Sequence, residues 1–300
     1  MTAVIMDGRA LSAHLLPELR AHADDLRRLY SLSPTLAVIL VGNDPASRQY
    51  VRNKQRMVGD LGFQSLMITM EADQATTETL LETVDRLNRD ESVTGILIQL
   101  PLPDRVDPFQ LFDAIAPFKD VDAVGASSVS GFYRGKWGRF IPCTPRGVLS
   151  LLDYYKVPVD GARAVVIGRS DIAGKPAALI LGGRLRNATV TWCHRNTRNL
   201  EGICREADLL VSCAGAEIGR PFLITADMVK PGACVIDVGF RRVGPGRFAG
   251  DVDFDGVKEV AGWVTLNPGG TGPMTVVALM QNLIDAARYQ LQLERAVYSV

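Results

Sequence analysis

The chain has 300 residues, of which 47% are hydrophobic and 22% charged, and its formal net charge is zero. Such a length is enough for two domains of ordinary size, and the balanced charge argues against a nucleic acid or a membrane surface as a partner held by bulk electrostatics. No apolar run approaches the roughly 20 residues of a membrane span, and the first residues lack the basic and apolar regions of a signal peptide.

The cysteines and histidines suggest neither a disulfide framework nor a metal site. Five cysteines occur without Cys-x-x-Cys spacing, several of them inside apolar, strand-like runs. We therefore expect buried, reduced thiols in a cytoplasmic protein. Only three histidines are present and they are scattered, so we expect no bound metal.

Helices and strands alternate along the first half of the chain, which predicts parallel βαβ units. Asp44 and Pro45 are typical of a helix N-cap followed by proline at the first helical position, and Gly62 suits the position just after a helix end. The stretch 119–140 is polar and glycine-rich, and we expect it to be irregular. The predicted helices cover 9–30, 45–61, 76–89 and 108–115, and the predicted strands cover 35–42, 63–70 and 95–100.

The second half of the chain predicts a Rossmann-type domain. A helix over about 144–155 leads into a series of apolar strands, and an amphipathic final helix over 273–297 is expected to return to the first domain. The fold class is α/β with two domains: an N-terminal α/β catalytic domain, 1–143 plus 274–300, and a parallel-sheet dinucleotide-binding domain, 144–273. The cleft between two such domains, at the carboxyl ends of their strands, is the expected ligand site. The predicted strands cover 163–168, 188–194, 208–214, 233–239 and 262–266.

A strand, a turn and a helix N-terminus are predicted over residues 164–176. Gly168 ends an apolar run, Ser170 lies in the turn, and Pro176 falls in the first turn of the helix. Backbone N–H groups and the helix dipole at such a turn favour a phosphate. The spacing from Gly168 to Gly174 is not a strict Gly-x-Gly-x-x-Gly, so an ordinary turn of an α/β protein explains it equally well.

The next strand strengthens the nucleotide interpretation. Dinucleotide-binding folds place the group that meets the adenosine ribose about 20 residues further on, and a carboxylate there selects NAD. This chain has Arg195 after that strand instead. Together with Arg169 it can pair with a 2′-phosphate, which favours NADP over NAD. The alternative is that both arginines are solvated loop charges.

Tyr50 and Lys54 are spaced i, i+4 and therefore share one face of the second predicted helix. Lys54 is expected near the start of that helix, where partial removal from water lowers the pKa of its amine and lets it act as a base or an acid near neutral pH. Tyr50 can stack on a flat aromatic ligand. The alternative is that Lys54 and the neighbouring arginines at 48, 52 and 56 form a solvated basic face.

Three further polar features follow apolar segments. Gln99 ends an apolar strand, and its amide needs partners in a ligand or in the backbone. Asp122 suits the paired N–H donors of a heterocycle, or is a turn-forming aspartate. The run 268–273, Pro-Gly-Gly-Thr-Gly-Pro, brings bare backbone close to a ligand or forms a tight interdomain turn.

Taken together, these segments resemble the bifunctional methylenetetrahydrofolate dehydrogenase/methenyltetrahydrofolate cyclohydrolase family. The matching motifs occur in the family's order and cover nearly the whole chain, so their combination is specific. They are residues 41–47 with Tyr50 and Lys54, and the segments 95–103, 119–122, 142–145, 168–170, 237–239, 250–252 and 268–275.

The resemblance implies two reactions. NADP⁺ takes a hydride from 5,10-methylenetetrahydrofolate to give the methenyl cation, and water then opens that cation to 10-formyltetrahydrofolate. By resemblance Lys54 is the general acid/base of the water step, and Gln99 holds Lys54 and the water. Tyr50 stacks on the folate, and Asp122 binds the pterin ring, which completes the catalytic set.

The same resemblance implies a cofactor site, a substrate site and a homodimer. NADP lies along the turn at 168–170, with Phe240 near its far end, and the glycine-rich turn at 268–272 lines the folate and nicotinamide region. The implied cofactor residues are Gly168, Arg169, Ser170, Arg195 and Phe240, and the implied substrate residues are Tyr50, Gln99, Leu100, Asp122, Pro268, Gly269, Gly270, Thr271 and Gly272.

The chain departs from the family's usual pattern around the folate and nicotinamide region. Before Pro268 the family usually has Thr-Pro-Val, and this chain has Leu266 and Asn267 after the threonine. Thr271 stands where valine is usual, and Ala123 stands where glycine is usual. These departures bear on the rates of the two activities and on the balance between them.

Two other functions are compatible with the same two-domain plan. An NADP-dependent dehydrogenase of a small polar metabolite, such as a shikimate-type substrate, would not need the pair of Tyr50 and Lys54. A catalytically silent folate- or NADP-binding protein would be expected to lack Lys54. Since both residues are present, we expect both activities.

Overall fold

The computed structural model describes residues 2–134, 140–215, 221–244 and 247–298. Strands and helices alternate over residues 4–114 and again over residues 163–212. In the first half they are β1 (Val4–Met6), α1 (Gly8–Tyr30), β2 (Thr35–Val41), α2 (Pro45–Asp60), β3 (Gln64–Met70), α3 (Thr77–Arg89), β4 (Gly95–Gln99), α4 (Pro108–Ala114), α5 (Ala126–Tyr133) and α6 (Cys143–Tyr154). In the second half they are β5 (Arg163–Ile167), α7 (Gly174–Gly182), β6 (Thr189–Cys193), α8 (Leu200–Arg205), β7 (Leu209–Ser212), β8 (Cys234–Asp237), β9 (Arg241–Gly244), β10 (Arg247–Ala249), α9 (Phe254–Val257), β11 (Trp263–Thr265) and α10 (Thr271–Tyr298).

The chain folds into two compact units, each made of two segments. One unit comprises Met1–His14 and Thr144–Thr275, and the other comprises Leu15–Cys143 and Val276–Val300. We call the first the six-stranded unit and the second the three-stranded unit, after their main sheets. The second segment of the three-stranded unit is most of α10, so the final helix returns to the first domain, as predicted.

The three-stranded unit contains a parallel sheet in the order β3-β2-β4. Every residue of β2 is buried, which explains its continuous apolar run, since a central parallel strand is covered on both faces. Leu40 of β2 pairs with Gln99 of β4. This register brings the carboxyl end of β4 beside the loop that leads into α2.

The ends of α2 follow the sequence prediction. Asp44 caps the helix by accepting a hydrogen bond from the Ser47 backbone N–H at 2.7 Å, and Pro45 is the first helical residue. Gly62, just beyond the end of the helix, has a φ of +68°, in the left-handed region that favours glycine. These local signals therefore set where α2 begins and ends.

The six-stranded unit contains a sheet in the order β1-β11-β8-β7-β5-β6, and each pair of neighbouring strands is parallel. This is the predicted Rossmann-type parallel sheet. The carboxyl ends of its strands lie at one edge, where a doubly wound fold binds its ligand. That edge carries the ends of β5, β8 and β11, at Ile167, Asp237 and Thr265.

The structure differs from the sequence analysis in three places. The stretch 119–140 is not irregular throughout, because it contains α5; its residues 135–139 lie outside the described residues. Strand β1 and the antiparallel hairpin of β9 and β10 were not predicted. Because β1 pairs with β11, the first 14 residues belong to the six-stranded unit, which differs from a division that assigns 1–143 to one domain.

No helix in the described part of the chain is both long enough and apolar enough to cross a membrane.

Candidate active site

Lys54 and Gln99 meet in the three-stranded unit. The Lys54 Nζ donates a hydrogen bond to Gln99 Oε1 at 2.9 Å, and Gln99 Nε2 donates to the Leu100 carbonyl at 2.8 Å. The second bond fixes which way the amide faces, so its oxygen is directed at the amine. Lys54 lies in the second half of α2, so the expectation that it is near the start of the helix was wrong.

Burial lowers the pKa of the Lys54 amine below its ordinary value of 10.5, and the negative charge of Asp122 opposes that shift. Desolvation dominates because removal from water disfavours the charged ammonium. A larger fraction of the amine is therefore neutral near physiological pH than for a lysine in water. A neutral amine can accept a proton, which is what a general base requires.

The alternative interpretation of Lys54, as part of a solvated basic face, does not describe this helix. Arg48, Arg52 and Arg56 are exposed, whereas Lys54 is half-buried. The lysine therefore faces away from the three arginines and towards the end of β4. Its contact with Gln99 joins residues 45 positions apart in the chain.

Tyr50 lies one helical turn before Lys54 on α2 and is half-buried. Burial raises the pKa of its phenol to about 12. The hydroxyl therefore stays protonated throughout the physiological range, so Tyr50 offers a ring face and a neutral hydroxyl to a ligand rather than a base.

Ser47 belongs to this cluster, and the sequence reasoning did not select it. It is buried, and its hydroxyl lies 3.2 Å from the Leu100 carbonyl and 3.0 Å from Asp44 Oδ2. The Leu100 carbonyl thus has two side chains against it, those of Ser47 and Gln99. The only sequence signal for Ser47 is its position in the capped first turn of α2, which says nothing about a contact with β4.

Asp122 lies in a loop that is anchored on both sides. Before it, the Asp120 carboxylate is buried and accepts hydrogen bonds from Gly125 N at 3.0 Å and Ser128 Oγ at 2.6 Å. The Asn282 side-chain amide, from α10, donates to the Val121 carbonyl at 2.7 Å. Asp122 itself is half-buried, and its charge interacts with the Lys54 ammonium. Ala123, where the resembled family usually has glycine, has a φ of +57°.

The turn after β5 in the six-stranded unit is closely packed around two glycines. Gly168 has a φ of +121°, and a Cβ there would lie 2.6 Å from the Cys213 carbonyl oxygen. A Cβ on Gly174 would lie 2.4 Å from the Gly168 carbonyl oxygen. No side chain caps the N-terminus of α7, which leaves its first turn open to an anion. These residues fit the phosphates of a dinucleotide.

Arg169 and Arg195 follow the paired ends of β5 and β6. Ile167 pairs with Cys193, so each arginine comes two residues after a paired position at the carboxyl edge of the sheet. Both are exposed, and neither guanidinium has a hydrogen bond or ion pair within the described part of the chain. They fit a 2′-phosphate. The sequence reasoning missed Trp192, whose Nε1 donates to the Gly168 carbonyl at 2.6 Å.

The remaining predicted residues also lie in the six-stranded unit. The ring of Phe240 stacks on that of Phe248 with centroids 4.5 Å apart. The turn at 268–272 follows β11 and runs into α10. Gly269 has a φ of +123°, and its carbonyl accepts a hydrogen bond from the Arg9 backbone N–H at 3.1 Å.

The described residues contain no group of three or more histidine, cysteine or acidic side chains able to hold a metal ion. The five cysteines form no disulfide. The chemistry available in the three-stranded unit is therefore that of an amine, an amide, a phenol and a carboxylate. The six-stranded unit offers glycine turns and two unpaired guanidiniums.

Both halves of the chain match models of one family. Residues 6–122 match the catalytic domain of tetrahydrofolate dehydrogenase/cyclohydrolase, and residues 142–291 match the NAD(P)-binding domain of the same enzymes. The chain belongs to this family. Its sequence is 45% identical to the bifunctional protein FolD of Moorella thermoacetica over 288 residues, which are 96% of this chain and 100% of the relative.

Solved structures of the family agree with the fold. The bifunctional FolD dehydrogenase/cyclohydrolase of Campylobacter jejuni aligns with a TM-score of 0.89 at 39% identity, covering 96% of this chain and 99% of that one. The Trypanosoma brucei enzyme, solved with NADP and an inhibitor, aligns with a TM-score of 0.91 at 35% identity, covering 97% and 99%. The predicted family is thereby confirmed, and with it the two-domain α/β fold and the bifunctional dehydrogenase and cyclohydrolase activity.

Proposed function

We propose that the cluster around Lys54 performs the cyclohydrolase step and that the carboxyl edge of the six-stranded sheet holds NADP. The enzyme oxidises 5,10-methylenetetrahydrofolate to 5,10-methenyltetrahydrofolate with NADP⁺ and hydrolyses the product to 10-formyltetrahydrofolate. The observation that carries the assignment is the hydrogen bond of 2.9 Å between Lys54 Nζ and Gln99 Oε1, made by an amine whose pKa burial lowers.

Lys54 acts as the general base of the hydrolysis. As the water oxygen bonds to the methenyl carbon, the neutral amine takes a proton from that water. The ammonium then returns this proton to N5 as the bond between N5 and the carbon breaks. The remaining hydroxyl proton of the adduct leaves to solvent as the C=O of the N10-formyl group forms. The cationic substrate further lowers the pKa of the amine, because two like charges oppose each other in one site.

Gln99 positions the amine and the water. Its amide is fixed by the Leu100 carbonyl, which also contacts the Ser47 hydroxyl. The fixed oxygen accepts a hydrogen bond from an N–H of the amine, so the amine's free electron pair keeps one direction. Such positioning reduces the loss of entropy on reaching the transition state.

Tyr50 and Asp122 bind the folate. The neutral, half-buried phenol of Tyr50 gives the ring system a face to stack on. The Asp122 carboxylate accepts the paired N–H donors of the pterin, an arrangement that suits a carboxylate with two oxygens in one plane. Leu100 and the backbone of the turn at 268–272 complete the substrate-binding residues, which are Tyr50, Gln99, Leu100, Asp122, Pro268, Gly269, Gly270, Thr271 and Gly272.

The cofactor is NADP, which accepts a hydride when it is bound. Gly168 and Ser170, with the open N-terminus of α7, bind its phosphates, and the exposed guanidiniums of Arg169 and Arg195 bind its 2′-phosphate. Phe240 lies near the far end of the cofactor. The family's NAD(P)-binding domain and the NADP found with the Trypanosoma brucei enzyme support this assignment.

The functional domains are a folate-binding catalytic domain, 1–143 plus 274–300, and an NADP-binding domain, 144–273. The enzyme works in the cytoplasm as a homodimer, on tetrahydrofolate derivatives and without a nucleic acid or a membrane as partner. The absence of disulfides among its five cysteines supports a reducing compartment.

Replacing Lys54 with methionine tests the base directly. We expect Lys54→Met to lower the cyclohydrolase rate by about 10²-fold or more, since general-base catalysis contributes on that order. The wild-type rate should rise with pH as the amine loses its proton, at a pH below 10.5, the ordinary pKa of lysine. The variant should lose that rise. The loss of the absorbance of methenyltetrahydrofolate is recorded with and without enzyme at a series of pH values. The difference between the two rates measures both effects.

The matched control is Arg52→Met, which removes a cation from the exposed face of the same helix. It should leave the cyclohydrolase rate and its pH profile within about twofold of wild type, as a surface charge contributes little. A Lys54→Met enzyme that hydrolyses methenyltetrahydrofolate at the wild-type rate would refute the role of the amine.

A further inference from the structure

Asn267 and Thr271, on either side of residues 268–270, both form hydrogen bonds at the carboxyl end of β8. The Asn267 side-chain Nδ2 donates to the Gly239 carbonyl at 2.6 Å and also to the Asp237 carboxylate. The Thr271 hydroxyl donates to the Asp237 carbonyl at 3.2 Å. We call these contacts the 267/271 latch. They join the turn before α10 to the segment that follows β8.

The strand end that the latch contacts is itself held rigidly. The buried Asp237 carboxylate accepts backbone hydrogen bonds from Gly239 at 2.9 Å, Asp251 at 3.0 Å and Val252 at 3.2 Å. Burial, and the nearby charge of Asp251, raise the pKa of Asp237 to about 6. The 267/271 latch thus contacts a segment whose own position is fixed by several hydrogen bonds to Asp237.

The residues around Asp237 are closely packed. A Cβ on Gly250 would lie 1.8 Å from an Asp237 carboxylate oxygen and 2.4 Å from Asn267 Nδ2. The Asp251 carboxylate accepts hydrogen bonds from Ser212 Oγ at 2.7 Å and from the Ala214 backbone N–H at 2.9 Å. The polar groups around Asp237 are thus already hydrogen-bonded to one another.

Without the latch, fewer bonds would hold the turn. Its carbonyl at Gly269 accepts from the Arg9 backbone, and Leu266 N donates to the Met6 carbonyl at 3.4 Å, a long bond. These contacts hold the turn to the end of β1 and the start of α1, not to the strand that leads to Phe240.

We propose that Asn267 and Thr271 are positioning residues for the dehydrogenase step, holding the turn at 268–272 in register with the segment from Asp237 to Phe240. The proposal rests on the assignment, made above, of this turn and of Phe240 to the folate and nicotinamide region. Hydride transfer requires the donor carbon and the nicotinamide at contact distance, so a turn displaced by a fraction of an ångström slows it.

The test replaces each side chain with an apolar one of similar size. We expect Asn267→Val to lower kcat of the dehydrogenase about tenfold and Thr271→Val about threefold, the usual range for losing a hydrogen bond. KM for NADP⁺ should change less than kcat. The primary kinetic isotope effect, measured with substrate deuterated at the methylene carbon, should rise because hydride transfer becomes slower.

Three controls accompany these variants. Thr271→Ser, which keeps the hydroxyl, should retain most of the kcat that Thr271→Val loses. Thr275→Val removes a hydroxyl from the same helix that contacts the Thr271 carbonyl and not Asp237, and it should leave kcat within about twofold. The cyclohydrolase rates of Asn267→Val and Thr275→Val should also stay within about twofold, because neither side chain is among the proposed substrate-binding residues and Lys54 and Gln99 belong to the other unit.

Unchanged kcat and isotope effect in Asn267→Val and Thr271→Val would overturn the proposal. Equal loss of both activities in Asn267→Val would overturn it too, because that result marks a purely structural role. If Asn267→Val fails to fold, the comparison of Thr271→Val with Thr271→Ser decides the question. A wild-type enzyme with no dehydrogenase activity would instead contradict the proposed function, and it is measured first.

Discussion

Gly168 shows how one residue sets the geometry of the nucleotide turn. Its φ of +121° is outside the range that other L-residues adopt easily, and a Cβ there would lie 2.6 Å from the Cys213 carbonyl oxygen. Gly168→Ala should lower the free energy of unfolding by roughly 2–5 kcal/mol, combining backbone strain with overpacking against rigid backbone. Urea unfolding followed by circular dichroism measures the change.

Gly161→Ala is the matched control at the residue scale. Gly161 has a φ of +72°, but a Cβ there would meet nothing within 4 Å. It should cost only about 1–2 kcal/mol, the penalty of the left-handed conformation alone. If the two variants are equally stable, the close approach of Gly168 to the Cys213 carbonyl does not constrain the turn.

Individual candidate residues could be selected from the sequence only where a polar residue type was unusual for its place in a helix or strand. A lysine at i+4 from a tyrosine, and a lone glutamine at the end of an apolar strand, were both noticeable. Ser47 was not, because a serine in the first turn of a capped helix is ordinary. Its contact with the Leu100 carbonyl depends on packing of α2 against β4, which no local pattern encodes.

Helix α3 ends on a buried lysine rather than on a glycine. Lys119 Nζ donates to the carbonyls of Leu87 at 3.0 Å, Asn88 at 2.9 Å and Asp90 at 2.7 Å. Burial lowers the pKa of this amine, and the charges of Asp90 and Glu91 oppose the shift. The ammonium therefore satisfies orphan carbonyls at the helix end and opposes the negative end of the helix dipole.

Removing this charge should unfold the end of α3. Lys119→Met fills similar space but removes the donor to the Leu87 and Asn88 carbonyls, whereas the Asp90 carbonyl keeps the Val93 backbone N–H. We therefore expect a loss of about 2–4 kcal/mol in the free energy of unfolding. Lys230→Met is the matched control, since Lys230 makes an exposed ion pair with Asp208, which contributes about 1 kcal/mol at most. Equal losses in thermal or urea unfolding would contradict the capping role of Lys119.

Longer elements were predicted well and short ones poorly. The helices and strands with clear periodicity lie within a few residues of the predicted bounds, because their apolar patterns report burial directly. Strand β1 has three residues and is defined by its pairing with β11 from the far end of the sequence. Helix α5, Ala-Ser-Ser-Val-Ser-Gly-Phe-Tyr, is rich in residues of low helix propensity and forms through tertiary contacts.

At the scale of the whole molecule, both units are built from chain segments far apart in sequence. Alternating strands and helices predicted two parallel sheets, and the apolar final helix predicted a discontinuous first domain. The pairing of β1 could not be predicted, since a strand of three residues carries too little pattern to choose between two sheets. Residues 1–14 therefore belong with the six-stranded unit.

Cofactor binding stabilises the whole chain by mass action, and this allows a test of the two arginines. A ligand present at about 100 times its Kd adds about 2.7 kcal/mol to the stability of the folded state. Arg169 and Arg195 are exposed and unpaired within the described residues. If they bind the 2′-phosphate, as proposed, that group would gain charge-assisted hydrogen bonds at little cost. NADP⁺ should therefore raise Tm more than the same concentration of NAD⁺.

Arg195→Ala should remove most of that difference. We expect it to weaken NADP⁺ binding about tenfold or more and NAD⁺ binding by less than about threefold, since a hydrogen bond to a charged group is worth roughly 1.5–3 kcal/mol. Thermal unfolding with each cofactor measures the two shifts. Arg163→Ala removes an exposed arginine from the opposite end of β5 and should change neither. Equal losses for both cofactors in Arg195→Ala would mean that this residue does not contact the 2′-phosphate, and the choice of NADP would need another cause.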